Sequence, residues 1–168
     1  MKTWFTADTH FGHAKIIEYC NRPFKNVERM DEALINLWNS RVKEHDLVIH
    51  LGDFMFKEIN RREYYLDRLS GHITFVKGNH DLNNSLNTKI TSLTVHLAGR
   101  DIFCTHDPRN YSSRHTLNLV GHVHNKWKVK KIYDCYLVNV GVDVWNYHPV
   151  DINEILKAIG KYEGEMKK

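Results

Sequence analysis

The stretch "FVKGNHDLNN", residues 75–84, begins as an apolar, β-prone segment and changes character at Gly78. Three polar residues with coordinating side chains follow the glycine, namely Asn79, His80 and Asp81. Gly, Asn and Asp are common in turns for backbone reasons alone, so a plain turn is one interpretation. The other is a ligand site, because ligands bind at the carboxyl ends of strands in sheets that helices flank. The rest of the sequence decides between the two.

Length and composition indicate one globular domain over residues 1–168, with 42% hydrophobic residues to supply its core. The net charge of +4 fits a phosphate-bearing partner, and it fits many proteins with a mildly basic surface as well. The three cysteines are scattered, which predicts reduced thiols and a cytoplasmic protein. We expect no signal peptide and no membrane partner, because no apolar run has the length of a membrane span.

Helical and strand patterns alternate in the first half of the chain. Residues 3–8 and 46–53 are predicted as strands, and apolar residues recur with a helical period over residues 28–44. Residues 57–70 predict a charged amphipathic helix. A further helix is expected to start near His13.

The second half is richer in strand patterns. Residues 92–106 predict two strands joined by a tight turn. A closing helix is predicted over residues 151–165, with Asp151 as its N-cap and Glu154 at the capping-box position. The whole pattern predicts an α/β fold with a core of two sheets and helices outside.

Polar residues with coordinating side chains follow five of the predicted strands. A turn explains Gly, Asn and Asp at such places, but it does not explain why histidines recur there. The chain has twelve histidines against three prolines, and five of them lie at these strand ends. The strand-end residues are Asp8, His10, Asp53, Asn79, His80, Asp81, His106, His122 and His124.

Carboxylate and imidazole ligands without thiolate suit Mn, Fe, Zn, Ni or Co. The candidate ligands are too many for one tetrahedral centre, and they suffice for two metals if one carboxylate bridges. Two metals about 3.5–4 Å apart can clamp a phosphate and activate a water for in-line attack. We therefore interpret "GNHD" as a ligand, Asn79, followed by a catalytic histidine, His80, and its orienting carboxylate, Asp81.

In kind and order, these motifs resemble the calcineurin-like metallophosphoesterases. The segments "THFGHAKIIEYCNRPF" and "NVGVDVWNYHP" are also similar to a small, uncapped microbial and phage branch of phosphohydrolases. The resemblance spans most of the chain, and the set is specific although each part alone is weak. Its parts are Asp8-x-His10, Gly52-Asp53, Gly78-Asn79-His80-Asp81, His106 and Gly121-His122-x-His124.

The resemblance implies a four-layer α/β/β/α sandwich with a site for two divalent metal ions on one edge, Mn²⁺ first among the candidates. In that family pattern His80 would protonate the leaving oxygen and would be held by Asp81. Asp53 would bridge the two ions. The first ion would be bound by Asp8, His10, Asp53 and His124, and the second by Asp53, Asn79, His106 and His122.

The same resemblance implies attack on phosphorus by a metal-bridging hydroxide. A general acid helps most when the leaving group is a poor alkoxide, which favours small phosphodiesters of nucleotide type, with monoesters as a second class. Two alternatives stay open: a nuclease acting on DNA or RNA, and a non-catalytic interaction module on the same fold, as in the retromer-subunit branch. The sequence leaves the substrate, the native metal and the oligomeric state open.

Three further residues are candidates for substrate contacts. His13 could contact the phosphate, although a surface or capping role fits as well. Arg22 could bind a phosphate through bidentate hydrogen bonds from its guanidinium, or it could be an ordinary exposed arginine. Asp143 follows the ligand strands and could line the cleft. The basic stretch "KWKVKK", residues 126–131, could track nucleic acid or form one solvated face of a strand.

Overall fold

The computed structural model describes residues 1–56, 61–81, 86 and 88–167 of the chain. Among these residues, the first of two sheets has four strands, in the spatial order third, second, first and ninth along the chain. The first three strands are parallel, and the ninth pairs antiparallel with the first. The strands are β1 (Thr3–Thr6), β2 (Leu47–His50), β3 (His72–Phe75) and β9 (Val150–Asp151).

Five strands form the second sheet within the described residues, in the spatial order fourth, fifth, sixth, eighth and seventh. The fifth, sixth and eighth strands are parallel, and an antiparallel hairpin partner lies at each edge. The predicted turn between the fourth and fifth strands is confirmed, with Ala98 and Gly99 both at positive φ. The strands are β4 (Ser92–Leu97), β5 (Arg100–Thr105), β6 (Leu117–Val120), β7 (Val129–Ile132) and β8 (Cys135–Asn139).

The helices follow the predicted pattern, with one difference. The helix predicted over residues 57–70 is observed only as Arg62–Leu66, and residues 57–60 lie outside the described residues. No helix in the described part of the chain has both the length and the apolar composition to cross a membrane. The helices are α1 (Ala14–Tyr19), α2 (Val27–Arg41), α3 (Arg62–Leu66) and α4 (Ile152–Met166).

Alternate residues of β1 and β2 point to opposite faces of the first sheet, and this alternation separates two buried clusters. Trp4 and Val48 pack with residues of α1, α2 and α3, among them Trp38. Phe5 and Ile49 pack in the other cluster, with side chains of the second sheet and of α4. The predicted α/β/β/α architecture of two sheets with helices is therefore confirmed.

The basic stretch lies on and before β7, which is an edge strand of the second sheet. Lys130 and Lys131 are exposed, whereas Val129 and Ile132 are half-buried. Lysines on an edge strand discourage pairing with another chain. This placement fits a solvated strand.

The predicted capping box of α4 is confirmed. Asp151 Oδ1 accepts hydrogen bonds from the backbone N–H groups of Asn153 and Glu154, both at 3.0 Å. In return, Glu154 Oε2 accepts from the backbone N–H of Asp151 at 3.2 Å.

We expect Asp151→Ala to lower the free energy of unfolding by about 1 kcal/mol, because it leaves two helix N–H groups without their acceptor. Urea denaturation monitored by circular dichroism measures this change. Asn153→Ala is the control, since that side chain is exposed and makes no cap. Equal stability of the two variants would contradict the role of the cap.

Candidate metal centre

The predicted ligands converge where strands of both sheets end. Two groups form there, and within each group one ligand atom per residue lies within 4.8 Å of the others. The first group is Asp8, His10 and His124, and the second is Asp53, His106 and His122. These groups match the two sets that the family resemblance implied, apart from the shared carboxylate and the asparagine.

Asn79 joins the second group. Its side-chain oxygen lies 3.0 Å from His106 Nε2 and 2.7 Å from His122 Nδ1. The ring of His106 is fixed from its other side, because His106 Nδ1 lies 2.6 Å from the carbonyl oxygen of Leu51. That contact assigns the proton to Nδ1 and turns Nε2 towards the centre.

Asp53 lies between the two groups. Its Oδ2 atom is 3.5 Å from His10 Nε2 and 3.4 Å from His106 Nε2. Its other oxygen accepts a hydrogen bond from the backbone N–H of His80 at 2.8 Å. One carboxylate oxygen thus faces a histidine of each group, which is the position that a bridging ligand requires.

The backbone at the ligand positions is unusual. Positive φ is uncommon outside glycine, although Asp and His are enriched among the exceptions. Each such residue costs of order 1–3 kcal/mol, and the surrounding structure must hold it. This backbone conformation makes the chain turn sharply after each strand, and the turns bring the side chains together. The φ angles are 57° for Asp8, 50° for His10, 55° for Asp53, 70° for His122 and 48° for His124.

The glycine before Asn79 is required by space. A Cβ atom on Gly78 would lie 2.2 Å from Asp53 Oδ1 and 2.4 Å from the backbone nitrogen of Asp53. Gly141 plays the same part next to Asp8, because a Cβ there would lie 2.6 Å from Asp8 Oδ2. The glycines therefore let neighbouring backbone approach the two carboxylates.

Burial and the attraction between carboxylates and histidines shift the pKa values of the residues in the centre. Burial raises the pKa of Asp8 to about 6, against the opposing pull of His106 and His124. Burial also acts to raise the pKa of Asp53, but the hydrogen bond and charge of His106 outweigh it and hold that pKa below its usual range. Burial acts to lower the pKa of His106, and the hydrogen bond to Asp53 raises it to about 9. Positive charge is therefore favoured beside both carboxylates.

His10 shows that the residues fit a bound cation. Both of its ring nitrogens are buried without a hydrogen-bond partner, although such groups normally have one. Burial also lowers the pKa of His10 well below its ordinary value, so the ring is neutral and can donate a lone pair. A carboxylate and imidazole donor set of this kind suits Mn, Fe, Zn, Ni or Co.

The structure corrects the expectation for Arg22. Its guanidinium is buried, with the residue 4% exposed, and it donates to Asp143 Oδ1 at 2.8 Å and Oδ2 at 3.1 Å. It also donates to the backbone carbonyls of Asp8 at 2.7 Å and Thr9 at 3.0 Å. Because these partners occupy its donors, Arg22 does not bind substrate phosphate and instead holds the loop that carries Asp8.

Asp143 is corrected in the same way. Its side chain is 2% exposed, so it does not line the cleft. Its Oδ2 atom lies 3.0 Å from His124 Nδ1. Burial acts to lower the pKa of His124, but the hydrogen bonds to Asp143 and Cys20 and the charge of Asp8 together raise it to about 10. A carboxylate on the far nitrogen of a metal-binding histidine fixes the orientation of the ring. Arg22, Asp143 and His124 thus form one buried chain behind the first group.

Asp81 also differs from the expectation. Its Oδ2 atom accepts from the backbone N–H groups of Asp53 and Gly78, both at 2.8 Å, and Oδ1 accepts from that of Phe54 at 3.3 Å. Three backbone amides therefore use the carboxylate that was expected to orient His80. Asp81 fixes the two loops that carry Asp53 and Asn79.

His80 and His13 lie beside the first group. The ring centroid of His80, which is exposed, is 5.3 Å from that of His10. His13 is buried, with its ring stacked on Phe56 at 3.8 Å, and burial together with the nearby His80 lowers its pKa to about 4. A neutral ring with an unpartnered Nδ1 keeps His13 a candidate for a substrate contact.

Sequence reasoning identified the histidines that line a cavity of about 240 Å³ next to the first group, but it missed Ile16, Tyr19, Cys20 and Asn125. Tyr19 and Cys20, at the end of α1, belong to it together with Asn125 and Lys126. Asn125 Nδ2 donates to the carbonyl oxygen of Cys20 at 3.0 Å, which ties α1 to the loop after β6. Nothing in the sequence indicated that Tyr19 lies near the site, because α1 meets the loop after β6 through contacts between residues that are far apart in sequence.

We expect Asp143→Asn to weaken metal binding about 10–100-fold, because it loosens His124 and leaves Arg22 without its counter-charge. Titration of metal into chelator-treated protein, followed by elemental analysis, measures the change. The matched control is Glu32→Gln, which removes an exposed partner of Arg68 and should leave metal affinity unchanged. Unaltered affinity in folded Asp143→Asn protein would contradict the positioning role.

Comparisons with known proteins identify the family. The family model of the calcineurin-like phosphoesterase superfamily domain matches residues 1–149. The uncharacterized protein MJ1445 of Methanocaldococcus jannaschii is 36% identical, over 95% of this chain and 92% of that protein. The gene 66 protein of Mycobacterium phage L5 is 26% identical, over 85% of this chain and 87% of its own. The crystal structure of AQ665 from Aquifex aeolicus, a protein of unknown function, superposes with a TM-score of 0.74 at 25% identity, over 94% of this chain and 98% of that one. The chain belongs to the calcineurin-like phosphoesterase superfamily, whose members typically bind divalent metals and hydrolyse phosphoesters.

Proposed function

We propose that this protein is a binuclear metal-dependent phosphoesterase that hydrolyses small phosphodiesters of nucleotide type, with monoesters as a second class of substrate. The observation that carries the proposal is the position of Asp53. One of its oxygens lies 3.5 Å from His10 Nε2 in the first ligand group and 3.4 Å from His106 Nε2 in the second. A single carboxylate can therefore serve two ions.

Two divalent ions, Mn²⁺ first among the candidates, would supply charge neutralisation at the phosphoryl oxygens and activation of a water. The first would be held by Asp8, His10, Asp53 and His124. The second would be held by Asp53, Asn79, His106 and His122.

His80 is the proton donor in this proposal. Its backbone N–H donates to Asp53 Oδ1 at 2.8 Å, so the residue is tied to the bridging carboxylate. Its ring is exposed beside the first group, and none of the described residues forms a hydrogen bond with its ring nitrogens. The imidazole can therefore turn towards a leaving oxygen and protonate it, which is typically worth about 10²–10⁴-fold in rate.

Two features weigh against the alternative functions. An interaction module has no need of buried ligands, yet His10 keeps two unpartnered nitrogens inside the centre. A nuclease that follows a long polymer makes many phosphate contacts, and a net charge of +4 supports few of them. Small esters are therefore the better match.

We expect Asp53→Asn to lose more metal than Asp8→Asn, because only Asp53 lies between both groups. Elemental analysis of the purified variants should give well under one ion per chain for Asp53→Asn and about one for Asp8→Asn, against about two for the unaltered protein. Circular dichroism shows whether each variant is folded. Equal metal content in the two folded variants would contradict a bridging role for Asp53.

His80→Ala should cost rate and spare metal, and the cost should depend on the leaving group. A nitrophenolate leaves without a proton, so hydrolysis of a nitrophenyl ester should fall only mildly. A nucleoside alkoxide needs the proton, so hydrolysis of a nucleotide diester should fall by about 10²–10⁴-fold. The test is to measure steady-state kcat for both substrates with the unaltered protein and with His80→Ala, and to determine the metal content of each.

The matched control for that test is His96→Ala, which removes an exposed histidine of β4 that pairs with Asp101. It should leave both rates unchanged. Equal losses on the two esters in His80→Ala would reject proton donation. Loss of metal in that variant would make His80 a ligand instead, and the unaltered protein must lose activity on chelation for the proposed function to stand.

A further inference from the structure

Two segments of the chain form the part of the cavity beside the first ligand group that lies away from the ligands. α1 contributes Ile16 and Tyr19, and the loop after β6 contributes Lys126. The hydrogen bond from Asn125 Nδ2 to the carbonyl oxygen of Cys20 joins the segments at 3.0 Å. The walls are therefore held together before any ligand enters.

The cavity lies beside the proton donor of the proposed function. His80, His10 and His124 all border it, and His80 is the proposed proton donor. A general acid must be within hydrogen-bond reach of the oxygen that it protonates. The group attached to that oxygen therefore extends into this cavity.

Tyr19 offers an aromatic surface there. It is the last residue of α1, its side chain is 69% exposed, and its ring stands edge-on to His13 at 6.4 Å between centroids. Ile16, which is buried, lines the same cavity one helical turn before it. An exposed aromatic ring beside an apolar side chain is a stacking platform for a flat ring of a ligand, as in proteins that bind single-stranded nucleic acids.

Lys126 supplies a positive charge at the same place. Its side chain is exposed, and no described carboxylate forms an ion pair with it. Its backbone is fixed, because its N–H donates to the carbonyl oxygen of Val123 at 3.0 Å. The described residues that line the cavity include no Asp or Glu, so the cavity favours an anionic group.

We propose that this cavity binds the leaving group of the substrate, and that this group is a nucleotide whose base stacks on Tyr19 and whose own phosphate pairs with Lys126. The inference rests on the proposed function and names its substrate class: a diester in which a nucleotide is the departing alcohol. The cavity volume of about 240 Å³ lies below the usual range for pockets that enclose drug-sized ligands, so it would hold only part of one nucleotide, with the rest over the exposed Tyr19 and Lys126, and it excludes a folded polymer.

The step is an ordinary hydrolysis. The oxygen of water forms a bond to phosphorus, and the bond from phosphorus to the leaving oxygen breaks with its electron pair on that oxygen. His80 gives a proton to the leaving oxygen, and the water releases one to solvent. The products are a phosphate monoester and a nucleotide with a free hydroxyl group, the latter in the cavity.

Three diesters test the inference, with the same retained phosphoryl part and different leaving alcohols: methanol, a nucleoside, and a nucleoside that carries a further phosphate. Tyr19→Ala should lower kcat/KM about tenfold for both nucleoside leaving groups and leave the methyl ester unchanged. Lys126→Ala should lower kcat/KM about tenfold only for the phosphate-bearing group. Tyr133→Ala and Lys130→Ala, on the β7–β8 hairpin, are the matched controls and should change nothing.

Failure of this inference can be told from failure of the proposed function. If the unaltered protein hydrolyses a bis-nitrophenyl phosphate and the variants lose rate equally on all three diesters, the phosphoesterase stands and the cavity assignment falls. If no diester is hydrolysed, the proposed function falls. Binding of a nucleoside bisphosphate, measured by calorimetry without turnover, then decides: tenfold weaker binding in both variants supports the cavity assignment, and equal binding overturns it.

Discussion

Two carboxylates, Asp8 and Asp53, are buried at one edge of the sheets, and the arrangement of that edge follows from this constraint. A buried ion costs several kcal/mol unless partners compensate it. The backbone N–H of His122 donates to Asp8 at 2.9 Å, and that of His80 donates to Asp53 at 2.8 Å. These amides cover only part of the charge, so positive charge is required next to the carboxylates. The hydrogen bond and charge of His106 supply part of it, and divalent ions would supply more.

The conformation of the loops is a second consequence. Side chains from strands of two sheets can meet at one place only if the chain turns sharply after each strand, which explains the left-handed backbone of Asp8, Asp53 and His122. The same crowding explains why Gly78 has no side chain, since a Cβ would overlap Asp53. Such strained positions persist only where the surrounding structure holds them. Here the buried clusters on both faces of the first sheet supply that support.

Periodicity and strand-end motifs predicted the parts of the structure that local sequence controls. The helical period predicted α2, the capping box predicted the start of α4, and the motifs predicted which residues would cluster. β9 was missed because two residues carry no period, and it exists only through pairing with β1. Arg22 was misjudged because its partner Asp143 lies 121 residues away in sequence. The amide partners of Asp81 were not predicted, because residue types do not reveal hydrogen bonds to backbone N–H groups.

Arg22 supports the first ligand group in a way that differs from the support of the second. Arg22 holds the carbonyl oxygens of Asp8 and Thr9 after β1, and through Asp143 it holds His124 after β6. One permanently charged group therefore joins the ends of strands from different sheets, independently of pH. In the second group, Asp81 joins the loops that carry Asp53 and Asn79 through backbone amides, and Asn79 itself is exposed. The fold thus preorganises both groups, the first through a buried ion pair and the second through backbone groups, and the exposed Asn79 leaves one side of the second group open to solvent.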